Sequence, residues 1–224
     1  MRLTDHELLP VLRIEYVRGP ATAILVTVGG KGYVVTAGHV VEGLQPGDNI
    51  RFRVDESWSA LPIESVRFGV RDDIAILTSP LLGPNSGLPE ERINGFITVG
   101  STASYCGFPL GIEGVRPEGH RWPIPMVKAA IYSGSTNLEG PMVHLFDTVN
   151  NKGFSGGPIY VNDGTAIPKL CAIVSGYKFD RPIPLMRRDE QGGFVEDPVH
   201  FVQPNSGFML AVPILRALEL IQEG

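Results

Sequence analysis

Cysteine is nearly absent: the 224 residues hold only Cys106 and Cys171. Each lies in an apolar, strand-like segment, so buried free thiols are expected rather than a disulfide. Histidine is almost as scarce, and His6, His39, His120, His144 and His200 show no paired ligand spacing. Neither a metal nor another cofactor is therefore expected. Blocks of like charge are missing as well. The net charge of −5 argues against a nucleic-acid partner, which calls for clustered Lys and Arg. There is no apolar run of the roughly 18 residues that a membrane helix needs. The opening Met1-Arg2-Leu3-Thr4-Asp5-His6-Glu7 lacks the basic-then-apolar layout of a secretory signal. The expectation is a cytoplasmic protein with no membrane partner.

What is present points to an all-β chain. A hydrophobic content of 43%, with 27 glycines and 19 prolines, favours short strands joined by turns. Strands are expected over 11–17 and 21–28, with a Gly29-Gly30-Lys31-Gly32 hairpin turn into 33–36. A short helical turn follows around His39, then strands over 50–54, 61–70 and 74–78. Residues 80–94 mix turn residues with no apolar period and read as a linker, dividing the chain into units 1–88 and 89–224. The second unit carries expected strands over 96–99, 103–108, 126–132, 142–146, 158–161, 170–175 and 208–212. A polar, proline-rich stretch, 179–206, reads as a long loop. Behind Pro213, the spacing of Ile214, Leu215, Leu218 and Ile221 predicts an amphipathic helix over 214–223. Strands and turns at this spacing form barrels or a sandwich.

The chemistry concentrates in Asn151-Lys152-Gly153-Phe154-Ser155-Gly156-Gly157-Pro158. A serine among glycines, just before the apolar run at 159–161, has the backbone freedom of a nucleophile loop. Glycine at 153 allows its N–H and that of Ser155 to point at one spot, where a developing oxyanion is held. On its own, the stretch can also be read as a Gly-rich turn with an incidental serine. Serine as an acyl-transfer nucleophile also needs a base and a carboxylate to orient that base. His39, at the end of the strand leading through Thr36-Ala37-Gly38, and Asp73, directly before Ile74-Ala75-Ile76-Leu77, are the candidates. Taken singly, each is also an ordinary hydrogen-bonded histidine or a charged turn.

Together and in this order, the three motifs resemble the trypsin/chymotrypsin family of serine peptidases. Within it they are most similar to bacterial high-temperature-requirement type protease domains, here without a PDZ domain. The resemblance implies two six-stranded antiparallel β-barrels and a C-terminal helix, with His39 and Asp73 in the first barrel and Ser155 in the second. It makes Ser155 the nucleophile, His39 the general base and then acid, and Asp73, rather than Asp72, the residue that fixes the histidine tautomer. Gly153 and Ser155 supply the oxyanion hole. Ser175, Gly176 and Tyr177 match the strand that pairs with extended substrate, and Val149 lies where trypsin carries an acidic residue. That implies an apolar or small residue before the cut, although Asp147 lies only two residues away. Phe154 departs from the digestive enzymes, which carry aspartate there for zymogen activation, so the loop must be ordered by packing, oligomerisation or an activating protein partner. Two functions follow: an endopeptidase acting on protein or peptide substrates, or a catalytically silent module that binds peptides or proteins. An esterase of another fold is opposed by the His-Asp-Ser order and the missing βαβ rhythm. Oligomeric state is not legible.

Overall fold

Sixteen strands and two α-helices are found among the residues that this computed structural model describes, which are 2–223 except 18, 94–95, 117, 119–120, 138–140, 163, 165–166 and 189–190. The first sheet holds β1 (Val11–Tyr16), β2 (Gly19–Val28), β3 (Lys31–Thr36), β4 (Asn49–Val54), β5 (Ser57–Pro62), β6 (Ser65–Phe68), β7 (Ala75–Thr78) and the two-residue β8 (Leu88–Pro89). Its order is β5-β4-β1-β2-β3-β7-β6, with β8 parallel to β2. It curls into a half-barrel left open between β5 and β6. Then come β9 (Thr102–Gly107), β10 (Met126–Asn137), β11 (Met142–Asp147), β12 (Pro158–Val161), β13 (Lys169–Phe179), β14 (Ile183–Arg188), β15 (Phe194–Val202) and β16 (Asn205–Pro213). Six of these close a barrel in the order β10-β11-β16-β13-β12-β9. Helix α1 (Asp5–Leu8) precedes the first sheet, and α2 (Ile214–Gln222) ends the chain. Among the described residues, no helix is long and apolar enough to cross a membrane.

Strand periodicity explains how the two halves meet. Successive side chains of a strand point to opposite faces, and β2 is buried on both. Ala21 and Ala23 enter the core of the half-barrel with Leu12, Ile14 and Val34. Ile24, Val26 and Val28 enter a second core, shared with Cys106, Phe108, Tyr160 and Ile173 of the closed barrel. Ile214, Ala217 and Ile221 of α2 close this shared core at helical spacing. A third core, containing Tyr105, Phe146, Phe154 and Val174, fills the closed barrel. Cys106 and Cys171 are free and buried. Burial pushes both thiols up, and the Glu7 carboxylate adds to the effect at Cys106. They pack as small apolar residues and offer no thiolate.

Four expectations change. The stretch 179–206 is not a structureless loop: β14 and β15 pair across it as a hairpin, Ile183 opposite Val202. The expected strand 61–70 is two strands, broken at Ile63 and Glu64, whose N–H groups turn to Asp48 O and Thr78 O at 2.8 and 2.9 Å. Residues 96–99 form no strand; Ser101 N–H closes a turn on Thr98 O at 2.9 Å, leaving Phe96 and Val99 exposed. The first unit has an eight-stranded sheet instead of six closed strands. His120 lies outside the described residues.

Candidate active site

Asp73 grips His39 twice. Its Oδ2 accepts from His39 Nδ1 at 2.7 Å, and its Oδ1 accepts from the His39 backbone N–H at 2.8 Å. The two residues come from different strand ends: His39 sits in a single 3-10 turn, Gly38–Val41, after β3, and Asp73 just before β7. Strands β3 and β7 are paired, Thr36 opposite Ala75, which brings those ends together. Gly38 fits because a Cβ there would meet Asp73 Oδ1 at 3.2 Å. Asp72, by contrast, lies 3.8 Å from Arg216 Nε of α2. Burial pushes the Asp73 carboxyl up, but the His39 hydrogen bond and charge, the Ser175 hydroxyl and the His39 backbone N–H outweigh it, so it titrates below its usual 3.8. Asp73 is therefore ionised at neutral pH.

Ser175 links this pair to Ser155. Its hydroxyl donates to Asp73 Oδ2 at 2.5 Å, and its carbonyl accepts from Ser155 Oγ at 3.3 Å. Among the described residues, Ser155 Oγ makes no hydrogen bond to His39. The loop around Ser155 is instead fixed by its backbone. Ser155 O accepts from Thr22 N–H at 3.0 Å, Gly156 N–H donates to Val174 O at 2.7 Å, and Lys152 O accepts from Leu110 N–H at 2.8 Å. Thr22 Oγ1 donates to Gly153 O at 2.6 Å and accepts from Phe108 N–H at 3.2 Å. Gly153 has φ +101°, and a Cβ there would lie 2.2 Å from Phe108 O; Gly156, at φ +83°, would meet Thr22 O at 2.0 Å. Only glycine fits either position. Phe154 is fully buried and packs edge-on against Tyr105, with ring centroids 4.8 Å apart. Phe154 is thereby packed into the core of the closed barrel.

The residues expected to line the substrate cleft have contacts of their own. Asn150 Nδ2 donates to Gly176 O at 3.1 Å, tying the segment before Ser155 to β13. Val149 is half exposed, and its carbonyl accepts from the Tyr105 hydroxyl at 3.2 Å and from the Lys128 ammonium. Tyr177 stacks edge-on against Phe179 at 4.8 Å. Asp147 stands apart on β11, exposed and opposite Ile131 and Phe208. A cavity of about 570 Å³ opens beside His39 and Asp73, lined also by Glu42, Phe68 and Asp72. Among the described residues, no cluster of three His, Cys, Asp or Glu side chains is placed to hold a metal. Sequence reasoning missed Thr22, Asn150 and Leu110. Thr22 alone left a signal, as a polar residue on the β2 face that carries Ile24 and Val26.

The model of the trypsin-like peptidase domain matches residues 21–167, which span His39, Asp73 and Ser155. The chain belongs to the trypsin-like peptidase domain family. It is a serine endopeptidase by that membership. Solved structures share its fold at low identity. The HtrA-type protease AlgW, solved with a tripeptide, is 19% identical with a TM-score of 0.60, over 98% of this chain and 61% of that one. The Rv3671c protease in an inactive form is 16% identical with a TM-score of 0.57, over 97% and 89% of the two chains. The MamO protease domain from Magnetospirillum magneticum is 16% identical with a TM-score of 0.57, over 96% and 98%. No protein of curated function matches this trypsin-like domain in sequence.

Proposed function

We propose that this chain hydrolyses peptide bonds through a covalent acyl-enzyme, with Ser155 as nucleophile, His39 as general base then acid, and Asp73 as the group that orients His39. The double grip of Asp73 on His39 carries the reading. With Nδ1–H committed to Asp73, the lone pair of the neutral ring lies on Nε2, free to take a proton. Rotation of the Ser155 hydroxyl from Ser175 O to His39 completes the relay; such contacts often tighten only once substrate is bound. The Oγ–H proton passes to Nε2 as the Oγ–C bond forms. The resulting oxyanion sits against the N–H groups of Gly153 and Ser155. His39 then protonates the leaving amine, and water repeats the sequence to release the acid. In this reading, residues 1–88 supply His39 and Asp73, and residues 89–224 supply Ser155. Substrate backbone adds to β13 at Ser175, Gly176 and Tyr177. With Val149 and the Asn150–Gly176 hydrogen bond at the pocket, a small or apolar residue precedes the cut. Two buried thiols suit a reducing, intracellular setting.

Labelling by a fluorophosphonate tests this without a known substrate. The wild type labels, and Ser155→Ala and His39→Ala do not. Failure of the folded wild type to label supports the second reading, a catalytically silent peptide-binding module or one gated by an activating partner. That reading is favoured by one observation: the Ser155 hydroxyl donates to Ser175 O. A rise in turnover per site with protein concentration or with an added partner identifies gating.

A further inference from the structure

The orientation of one peptide group decides whether Gly153 can serve an oxyanion. A trans peptide is planar, with its C=O and N–H on opposite sides. The Lys152 carbonyl accepts from Leu110 N–H at 2.8 Å, so the Gly153 N–H of the same peptide points away from Leu110. Turning this peptide over would present an acceptor where the reaction needs a donor. The hold on the Lys152 carbonyl is therefore a hold on the oxyanion hole.

Leu110 is not held there by its own side chain or by a relaxed backbone. The side chain is 71% exposed, and the backbone is left-handed, φ 53° and ψ 21°, a region that leucine rarely adopts. The turn closes on its own backbone, Gly111 N–H to Phe108 O at 3.0 Å and Ile112 N–H to Pro109 O at 2.8 Å, and a charge network just beyond it reaches back to the half-barrel. Arg13 of β1 pairs with Glu113 at 3.2 Å, and its Nη2 lies 2.9 Å from where a Cβ on Gly111 would be. Arg116 lies 3.9 Å from the other Glu113 oxygen and pairs with Glu56, in the turn between β4 and β5. Glu56 in turn takes Arg53 of β4 at 3.2 Å. The side chains of Arg13, Glu113, Arg116 and Arg53 are only 14–22% exposed. Glu56, by contrast, is 84% exposed, so the Arg13–Glu113 pair is enclosed while the pairs of Glu56 with Arg116 and Arg53 lie open to screening by salt.

Building on the proposed roles of Ser155 and Gly153, we infer that the Arg13–Glu113–Arg116–Glu56 network is a positioning device for the oxyanion hole. It anchors the 109–116 segment to the half-barrel, so that Leu110 N–H keeps the Lys152 carbonyl turned away and the Gly153 N–H available. None of these charged groups is among the proposed catalytic residues. Their effect travels through backbone, and it weakens as salt screens the pairs.

The test is kcat and KM on a cleaved peptide, with the fluorophosphonate labelling rate, for wild type, Glu113→Gln and Arg116→Gln, at about 50 mM and about 500 mM salt. Thermal melts select the variants that remain folded. A donor that serves the transition state alone shows in kcat and leaves KM unchanged. Each variant is expected to lose about tenfold in kcat and labelling rate, a fraction of the 10²–10³ lost with a whole donor. Wild-type kcat falls with salt, and the variants respond less. The charge-swapped pair Arg13→Glu with Glu113→Arg recovers part of the rate lost in Glu113→Gln. Wild-type kcat that is indifferent to salt, or folded variants with wild-type kcat or a loss confined to KM, overturns the inference and leaves the role of Ser155 standing. A wild type that fails to label overturns both.

Discussion

Asp73 contributes direction as much as charge. Its Oδ1 is committed to the His39 backbone N–H and its Oδ2 to the ring. In Asp73→Asn, the amide oxygen is drawn to that backbone donor, and its NH₂ then faces Nδ1. The ring proton is forced onto Nε2, which can no longer accept from serine. The expected result is a loss of about four orders of magnitude in kcat, with an unchanged fold by circular dichroism. Activity within tenfold of wild type contradicts this role for Asp73. At this scale the sequence was informative because chemistry constrains residue type and neighbours together. His39, Asp73 and Ser155 each sit at a strand end beside small or apolar residues. The hydroxyl of Ser175 on Asp73 was not legible, because that contact joins residues 102 positions apart.

Strand β2 determines how the two halves meet, and Thr22 shows it most clearly. On the face that carries Ile24 and Val26 to the shared core, its hydroxyl links Gly153 O to Phe108 N–H. Thr22→Val keeps the shape and leaves both groups without that partner. Each unmet buried group costs about 1–3 kcal/mol, so unfolding in urea is expected to show a loss of a few kcal/mol, accompanied by a lower labelling rate at Ser155. Unchanged stability and labelling would remove Thr22 from the account. Strands β10 and β11 carry a partly buried group, His144, whose Nδ1 meets Ser135 Oγ at 2.8 Å and Tyr132 Oη at 3.3 Å. Burial holds its imidazole below the ordinary 6.5. The unfolded chain therefore takes up the proton first as pH falls. The stability linked to this residue is complete above 6.5 and is lost as pH drops through the folded value. Unfolding free energies between about pH 7.5 and pH 5 are expected to fall more steeply for wild type than for His144→Gln; equal slopes exclude this contribution. Among the elements, the hairpin of β14 and β15 escaped sequence reading for a physical reason. Pro184 and Pro198 interrupt its strands, and most of its side chains are exposed on both faces, so it lacks the alternation that marks a half-buried strand.

At the scale of the whole molecule, the first turn of the chain is tied to the second half. Glu7 is buried. Its carboxylate caps the Thr4 N–H and hydroxyl at 2.8 and 2.7 Å and pairs with Arg92. Its carbonyl accepts from the Tyr160 hydroxyl at 2.8 Å. Removing one member of a largely buried pair leaves the other charge unmatched, so Glu7→Ala is expected to cost roughly 2–4 kcal/mol. Equilibrium unfolding checks this, and a change below about 0.5 kcal/mol refutes a clamp. Sequence spacing made the strand-rich, all-β character of the chain legible. It did not reveal that the first sheet stays open between β5 and β6, because closure depends on how far strands curl and not on their number. Nor did it reveal the Glu7 clamp, since a single glutamate near the start of a chain reads as solvated.

The most direct test of the account is active-site titration with a chromogenic ester under rapid mixing. The proposed acyl-enzyme predicts a burst of about one chromophore per folded chain, absent in Ser155→Ala and His39→Ala, with the acyl group recovered on the Ser155 peptide by mass spectrometry. A burst that persists in Ser155→Ala, or an acyl group recovered on another residue, contradicts it.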